Sequence, residues 1–242
     1  MRIGTAGWSI PRAVAEHFPP EGTSLERYAA RFNAAEINSS FHRPHRASTW
    51  RRWAESVPAD FRFAAKVPKA VTHTRKLMDC GEELNRFFGE TAELGDKLAV
   101  VLVQLPPKLE FDPELAEVFF AGMASRTTAI VACEPRNAGW FSDAADRLLA
   151  RLRVSRVAAD PALCPEAARP GGWHGFSYWR LHGSPVMYRS SYDERLPSYA
   201  ALLRREAAER ETWCIFDNTA SSAAAGDALA LTDLLDGQAH NP

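Results

Sequence analysis

Seven short apolar runs in this chain each end in a polar or ionisable residue. In order, the ends are Glu36 with Asn38, Lys66, Gln104, Glu134, Asp160, Arg180 with His182, and Asp217 with Asn218. An eighth run, Met1 to Thr5, ends in a Gly7-Trp8 turn. Stretches with helical patterning separate the runs. Strand and helix alternating in this way is the rhythm of an α/β chain closed into a (β/α)₈ TIM barrel, whose strand C-termini converge on the face where sites are built. The pattern therefore predicts where a site lies and that it is rich in acids and bases. It leaves the reaction open.

The predicted strands are residues 3–6, 34–38, 61–67, 99–105, 129–134, 155–160, 176–182 and 213–218. Several are continuous apolar runs, as expected where a parallel sheet is covered on both faces. Ser24, Ser48 and Ser142 each precede a helical pattern and read as N-caps. Pro113 fits the first turn of PELAEVFFAGM. Residues 82–94, 197–209 and 220–235 supply three more helices. Residues 161–173, with three prolines and two glycines, read as a long loop rather than a full helix. The tail from Gly237 is expected to fray. With no repeat, linker or low-complexity segment, residues 1–242 read as one domain.

A chain of 242 residues suits one such barrel, which needs about 250. A net charge of −1 gives no global attraction to nucleic acid or to an anionic membrane, so a nucleic-acid partner stays open only through a local basic patch. No apolar run approaches the ~18 residues of a membrane span, and no targeting segment precedes the first strand. Cys80, Cys133, Cys164 and Cys214 have no metal-ligand spacing; Cys133 and Cys214 lie in strand-like runs and read as small buried hydrophobes. A cytoplasmic protein is the simple expectation.

Glu36, Glu134, Asp160 and Asp217 each close an apolar run. A carboxylate there is costly unless paired, so the group reads either as acid/base or ligand-binding chemistry or as an ion-pair network with Lys66, Arg136 and Arg180. His182 suits a base, a ligand or a structural hydrogen bond, and Arg180, two residues earlier, shares its face. Lys66 is open to three readings: a Schiff-base amine, an anion-binding or acid/base group, or a partner of Glu36. Gln104, Asn38 and Asn218 could orient a ligand. Trp8, Phe41, Trp140, Tyr188 and Tyr192 follow strand ends and could stack on a sugar or base, or simply wall the mouth. Gly7 and Gly183 are expected to leave backbone N–H groups accessible beside them. The chain has no GxxxxGK[ST], GxGxxG, HxH or HExxH, and the loop pair His42 and His45 is weak evidence for metal. No metal ligand and no cofactor are assigned.

The strings IGTAGW, YAARFNAAEINSSFHRP, FRFAAKVPKAVTH, LAVVLVQLPP, CEPRNAGW, RLHG and FDN occur in order, one at nearly every strand end. Together they make the chain resemble domain-of-unknown-function family 72, the YecE-like TIM barrels, from residue 3 to near residue 230. The resemblance implies a TIM barrel and no established activity. Ile10 and His42 stand where the family usually has tyrosine, and Asp217 stands where it usually has asparagine, which adds a carboxylate to the mouth.

The sequence reading is an enzyme acting on a small polar or phosphorylated ligand, a carbohydrate or nucleotide fragment. Glu36 and Glu134 would be the acid/base pair, with Lys66 and His182 beside them. Arg136 and Arg180 would bind an anionic or hydroxyl-rich group. The alternatives are a non-catalytic barrel binding a ligand or a nucleic-acid end, and a metal hydrolase using three or more of Glu36, Glu134, Asp160, His182 and Asp217.

Overall fold

Parallel pairing runs through the chain in sequence order. In the computed structural model, which describes residues 1–237, β1 (Arg2–Ala6), β2 (Ala34–Ile37), β3 (Arg62–Lys66), β4 (Leu98–Gln104) and β5 (Ile130–Glu134) each pair with the next. The ring continues from β9 (Phe176–Leu181) through β10 (Glu211–Phe216) back to β1. Between β5 and β9 the predicted sixth strand is split in two. β6 (Val154–Arg156) pairs with β5, and β7 (Ala158–Asp160) pairs with β9. Only Val157 separates them, and its N–H still bonds Cys133 O at 2.8 Å. One extended stretch thus hands its pairing from one neighbour to the other and closes the barrel.

The loop expected after Asp160 holds a 3₁₀ turn, Pro165–Ala168, and a two-residue strand β8 (Gly171–Gly172) paired antiparallel to β6. Gly171 is needed there. A Cβ at this position would lie 2.1 Å from the guanidinium of Arg156, which forks onto Asp146 at 2.7 and 3.0 Å.

Around the barrel run α1 (Ser24–Ala29), α2 (Ser39–His42), α3 (Ala47–Glu55), α4 (Gly81–Thr91), α5 (Pro113–Ala124), α6 (Asp143–Arg151), α7 (Leu196–Glu209) and α8 (Ala224–Gly237). Ser142 caps α6 through Ala145 N, and Pro113 stands at the start of α5 behind the Asp112 cap. The other two predicted caps lie inside their helices. Thr23 caps α1 and, with Glu26, forms a reciprocal capping box, so Ser24 is the first helical residue. α3 begins at Ala47 behind Arg46, with no side-chain cap. The tail beyond Gly237 lies outside the described residues.

Strand alternation divides the core. Inside the barrel lie Ala34, Ala64, Val100, Leu102, Ala132, Val157, Phe176, Tyr178, Trp213 and Ile215. The residues between them, among them Ala35, Phe63, Val101, Cys133 and Trp179, face the helices. Large aromatics from β9 and β10, with Tyr178 stacked on Trp213 at 6.0 Å, fill space that the alanines of β2, β3 and β5 leave open. The interior is packed rather than porous. No helix among the described residues is long and apolar enough to cross a membrane.

Candidate functional site

The alternation that packs the interior also decides which strand-end side chains enter it. Glu36 continues the inward series of Ala34. Lys66 continues that of Ala64, Gln104 that of Leu102, and Glu134 that of Ala132. Arg180 and His182 follow Tyr178, and Asp217 follows Ile215. All lie at the C-terminal ends of parallel strands, at one rim.

Arg180 is the centre. Its Nε and Nη2 grip Glu36 Oε2 and Oε1 at 3.0 and 2.7 Å, Nη1 reaches Glu134 Oε2 at 2.5 Å, and Nη2 also reaches Asp217 Oδ2 at 2.9 Å. Tyr178 donates to Glu36 Oε2 at 2.9 Å from the layer below. Arg180, Glu36 and His182 have no solvent exposure. A guanidinium fork is the donor array that can serve several carboxylate oxygens at once. Burial alone would lower the pKa of Arg180, but Glu134, Glu36 and Asp217 outweigh it and hold the group well above its ordinary value.

His182 bridges two acids. Its Nδ1 lies 3.0 Å from Asp217 Oδ2 and its Nε2 lies 2.9 Å from Glu134 Oε1. Arg136 Nη2 completes a triangle, 2.7 Å from Glu134 Oε1 and 3.2 Å from Nε2. A protonated Nε2 donates to Glu134, and an unprotonated one accepts from Arg136, so either state finds a partner without movement. Burial pushes the Glu134 carboxyl up, but Arg180, Arg136 and His182 together hold it well below the ordinary value. For Asp217 burial is likewise overcome, by Arg180 and His182. Tyr178 is pushed well above its ordinary value, by burial first and Glu36 second, and stays a donor.

Lys66 stands apart. It makes no ion pair or hydrogen bond through its ammonium to any described residue; Nζ lies 4.5 Å from the centre of the Phe41 ring. Of the three readings open for Lys66, the partnership with Glu36 does not form, because Arg180 and Tyr178 already occupy both Glu36 oxygens. On the open side, Asn38 Nδ2 lies 3.5 Å from Asp217 Oδ1, and Arg136 Nε is buried without an acceptor. Gln104 is partly exposed. Over the top, Gly183 turns the chain at φ +94°, where a Cβ would meet Ser190 O at 2.8 Å. The following segment brings Tyr188 against His182, with ring centres 5.6 Å apart.

Other predicted residues lie elsewhere. Asp160 faces outward with Ala158; its Oδ2 accepts from Tyr199 Oη and Arg195 Nη2, both at 2.6 Å. Asn218 also points outward and donates to Asp227 Oδ2 and Ser190 O. Trp140 is buried, donating to Leu109 O, and Trp8 packs on Trp53 and Phe63. Tyr192 is buried, between Gly183 N and Asp160 O. Gly7 N bonds Glu36 O at 2.8 Å, so neither glycine offers a free N–H. His45 bonds Ser39 Oγ and packs on Trp50 and Trp53. Cys133 and Cys214 are fully buried, and burial pushes both thiols up.

The Arg180 guanidinium lies among Glu36, Glu134 and Asp217. Among the described residues no group of three or more His, Cys, Asp and Glu side chains is arranged to hold a metal ion. Tyr178 was missed from sequence, although its inward register beneath Arg180 was legible. Asp227 was missed as well, and no motif marks it. Clefts of about 380 and 410 Å³ lie at the opposite end of the barrel, beside Phe61 and beside Leu98, away from this cluster.

Comparison with known proteins places this geometry in a family. The model of the family described as "Protein of unknown function DUF72" matches residues 2–242. The chain belongs to the DUF72 family. It is 32% identical to UPF0759 protein YecE of Escherichia coli K12 over 104 residues, 43% of this chain and 37% of YecE. It is 28% identical to UPF0759 protein YunF of Bacillus subtilis 168 over 151 residues, 58% of this chain and 52% of YunF. The matches thus span about half or less of these relatives. Two solved DUF72 structures share the fold. One, from Thermotoga maritima, has TM-score 0.80 at 21% identity, covering 97% of this chain and 98% of the other. The other, from Enterococcus faecalis, has TM-score 0.81 at 19% identity, covering 97% and 95%. This DUF72 chain is therefore a TIM barrel, as its sequence pattern implied.

Proposed function

We propose that this DUF72 barrel is an enzyme acting on a small polar or phosphorylated molecule, a carbohydrate or nucleotide fragment, at its strand C-terminal mouth. One observation carries the reading. Above a cluster whose buried charges satisfy one another, the two cationic groups at the rim, Lys66 and Arg136, keep donors without protein acceptors. Buried ionic clusters are poor stabilisers, so their presence at the working end of a barrel calls for another reason. Arg136 would hold the anionic end of the ligand, with Lys66 Nζ facing the group next to it. Asp217, with His182 and Glu134 behind it, would move the proton. Glu36 is sealed under Arg180 and serves to fix it.

A thermal-shift panel of orthophosphate, ribose 5-phosphate and AMP, each beside its unphosphorylated counterpart, tests the ligand class. Phosphorylated compounds should raise the unfolding temperature by mass action, and Arg136→Met should reduce the gain. Stabilisation by Mg²⁺, Mn²⁺ or Zn²⁺ and by no anion would overturn the reading. Saturation of His182 by two carboxylates favours a second reading, a barrel that binds such a ligand without turning it over. Solvent-deuterium exchange into a bound compound, followed by NMR, separates the two.

A further inference from the structure

Lys66 is a buried amine for which the barrel supplies no counter-ion within bonding distance. It ends β3 and is 8% exposed. Its backbone is fixed, with Ser40 Oγ donating to Lys66 O at 2.7 Å and the next residue bonding across to Leu102 O at 2.9 Å. Nζ rests over Phe41 from α2. The charged and titratable groups that face it come from every side. They are Arg180 on β9, Glu36 on β2, Glu134 on β5, Asp217 after β10, and His73 in the turn after β3. Burial lowers the Lys66 pKa most and Arg180 lowers it further; the three carboxylates offset only part of this. All three carboxylates are already bonded to Arg180, and Glu134 and Asp217 to His182 as well. A nearly buried lysine on a fixed backbone, with no carboxylate of its own and disfavoured as an ammonium, has the environment of a nucleophilic lysine.

We propose that Lys66 is an amine nucleophile that forms an imine with a carbonyl-bearing small molecule in the mouth. The inference rests on the mouth being a small-molecule site, and it narrows that molecule to an aldehyde or ketone. The neutral Nζ lone pair forms a C–N bond to the carbonyl carbon while the C=O π pair moves to oxygen. The proton lost from nitrogen passes to the Asp217–His182 pair, which returns one to the alkoxide to give a neutral carbinolamine; the further proton the pair gives up in the next step is replaced from solvent. Nitrogen then expels the hydroxyl, which takes a proton from the same pair and leaves as water. The product is an imine, protonated on nitrogen. Nothing is oxidised, and no co-reactant is required. Arg136 is placed to hold an anionic substituent of the substrate.

Reductive trapping tests the proposal. The intact protein is incubated separately with dihydroxyacetone phosphate, glyceraldehyde and pyruvate in the presence of sodium cyanoborohydride, then digested and mapped by mass spectrometry. Lys69, Lys76, Lys97 and Lys108 in the same digest are internal references. Lys66 should carry the largest share of the adduct with at least one compound, and Lys66→Arg should lose it while the other lysines are unchanged. A second measurement needs no carbonyl ligand and no variant: in trace labelling with acetic anhydride across pH, Lys66 should acetylate with a midpoint below the ordinary lysine value of 10.5. Adducts on the reference lysines with none on Lys66, or a midpoint at or above the ordinary value, would overturn the proposal. Stabilisation by phosphorylated compounds without an adduct at Lys66 removes the imine and leaves the mouth as a ligand site. An adduct at Lys66 with no thermal shift from any phosphorylated compound keeps the nucleophile and removes the phosphorylated ligand.

Discussion

Arg180 and Lys66 show how two cations, predicted from the same kind of strand end, take opposite roles. Arg180 sits where three carboxylates converge and has donors on three nitrogens in one plane, so it serves all of them. Lys66 has a single nitrogen, and it lies over an aromatic ring with no carboxylate left unengaged beside it. The difference decides what substitution does. Removing one partner of a buried ion cluster leaves the others uncompensated, which costs about 3–5 kcal/mol. Arg180→Met should therefore lower stability by about that amount, read as a drop in the denaturant midpoint. A change below about 1 kcal/mol would mean that water reaches the three carboxylates and replaces the guanidinium.

Among the elements, the barrel was legible in the sequence because each strand is a short apolar run and each break carries turn or cap residues. The site was legible only in part, because place at a strand end does not say which way a side chain points. Period-two alternation does say it. Counting back from Asp217 through Ile215 and Trp213 puts Asp217 inside and Asn218 outside; counting from Val157 puts Asp160 outside. The break at Val157 was not legible, because it depends on which neighbour each half-strand meets. The helix starts show a similar limit. Ser24 and Thr23 are both good cap residues, and what selects Thr23 is Glu26 three residues on. Thr23→Ala should cost about 1 kcal/mol, whereas Ser24→Ala should cost a few tenths at most. Chemical denaturation of the two variants measures the difference, and equal losses would return the cap to Ser24.

For the molecule as a whole, these local arrangements add up to a dependence on pH. Glu134 and Asp217 are both held below their ordinary values of 4.5 and 3.8, by Arg180 and by His182. A carboxylate whose folded pKa is depressed binds its proton less readily than the unfolded chain does. Its stabilisation is therefore complete above the ordinary value and is lost as pH falls toward the folded one. Lys66 carries the opposite sign. Its folded pKa is lowered, so the cost of burying its charge is felt at neutral pH and is relieved only as pH rises toward 10.5. Acid should thus weaken the barrel through Glu134 and Asp217, while the cost of the Lys66 charge, already present at neutral pH, does not grow. Glu134→Gln tests this, because an amide cannot titrate. Between about pH 5 and about pH 3, the denaturant midpoint of the native protein should fall more steeply than that of the variant. The comparison is between slopes, so whatever Glu134→Gln costs at neutral pH cancels. Parallel slopes would place the acid sensitivity in the other carboxylates and show that Glu134 is protonated at the same pH in the folded and unfolded chain.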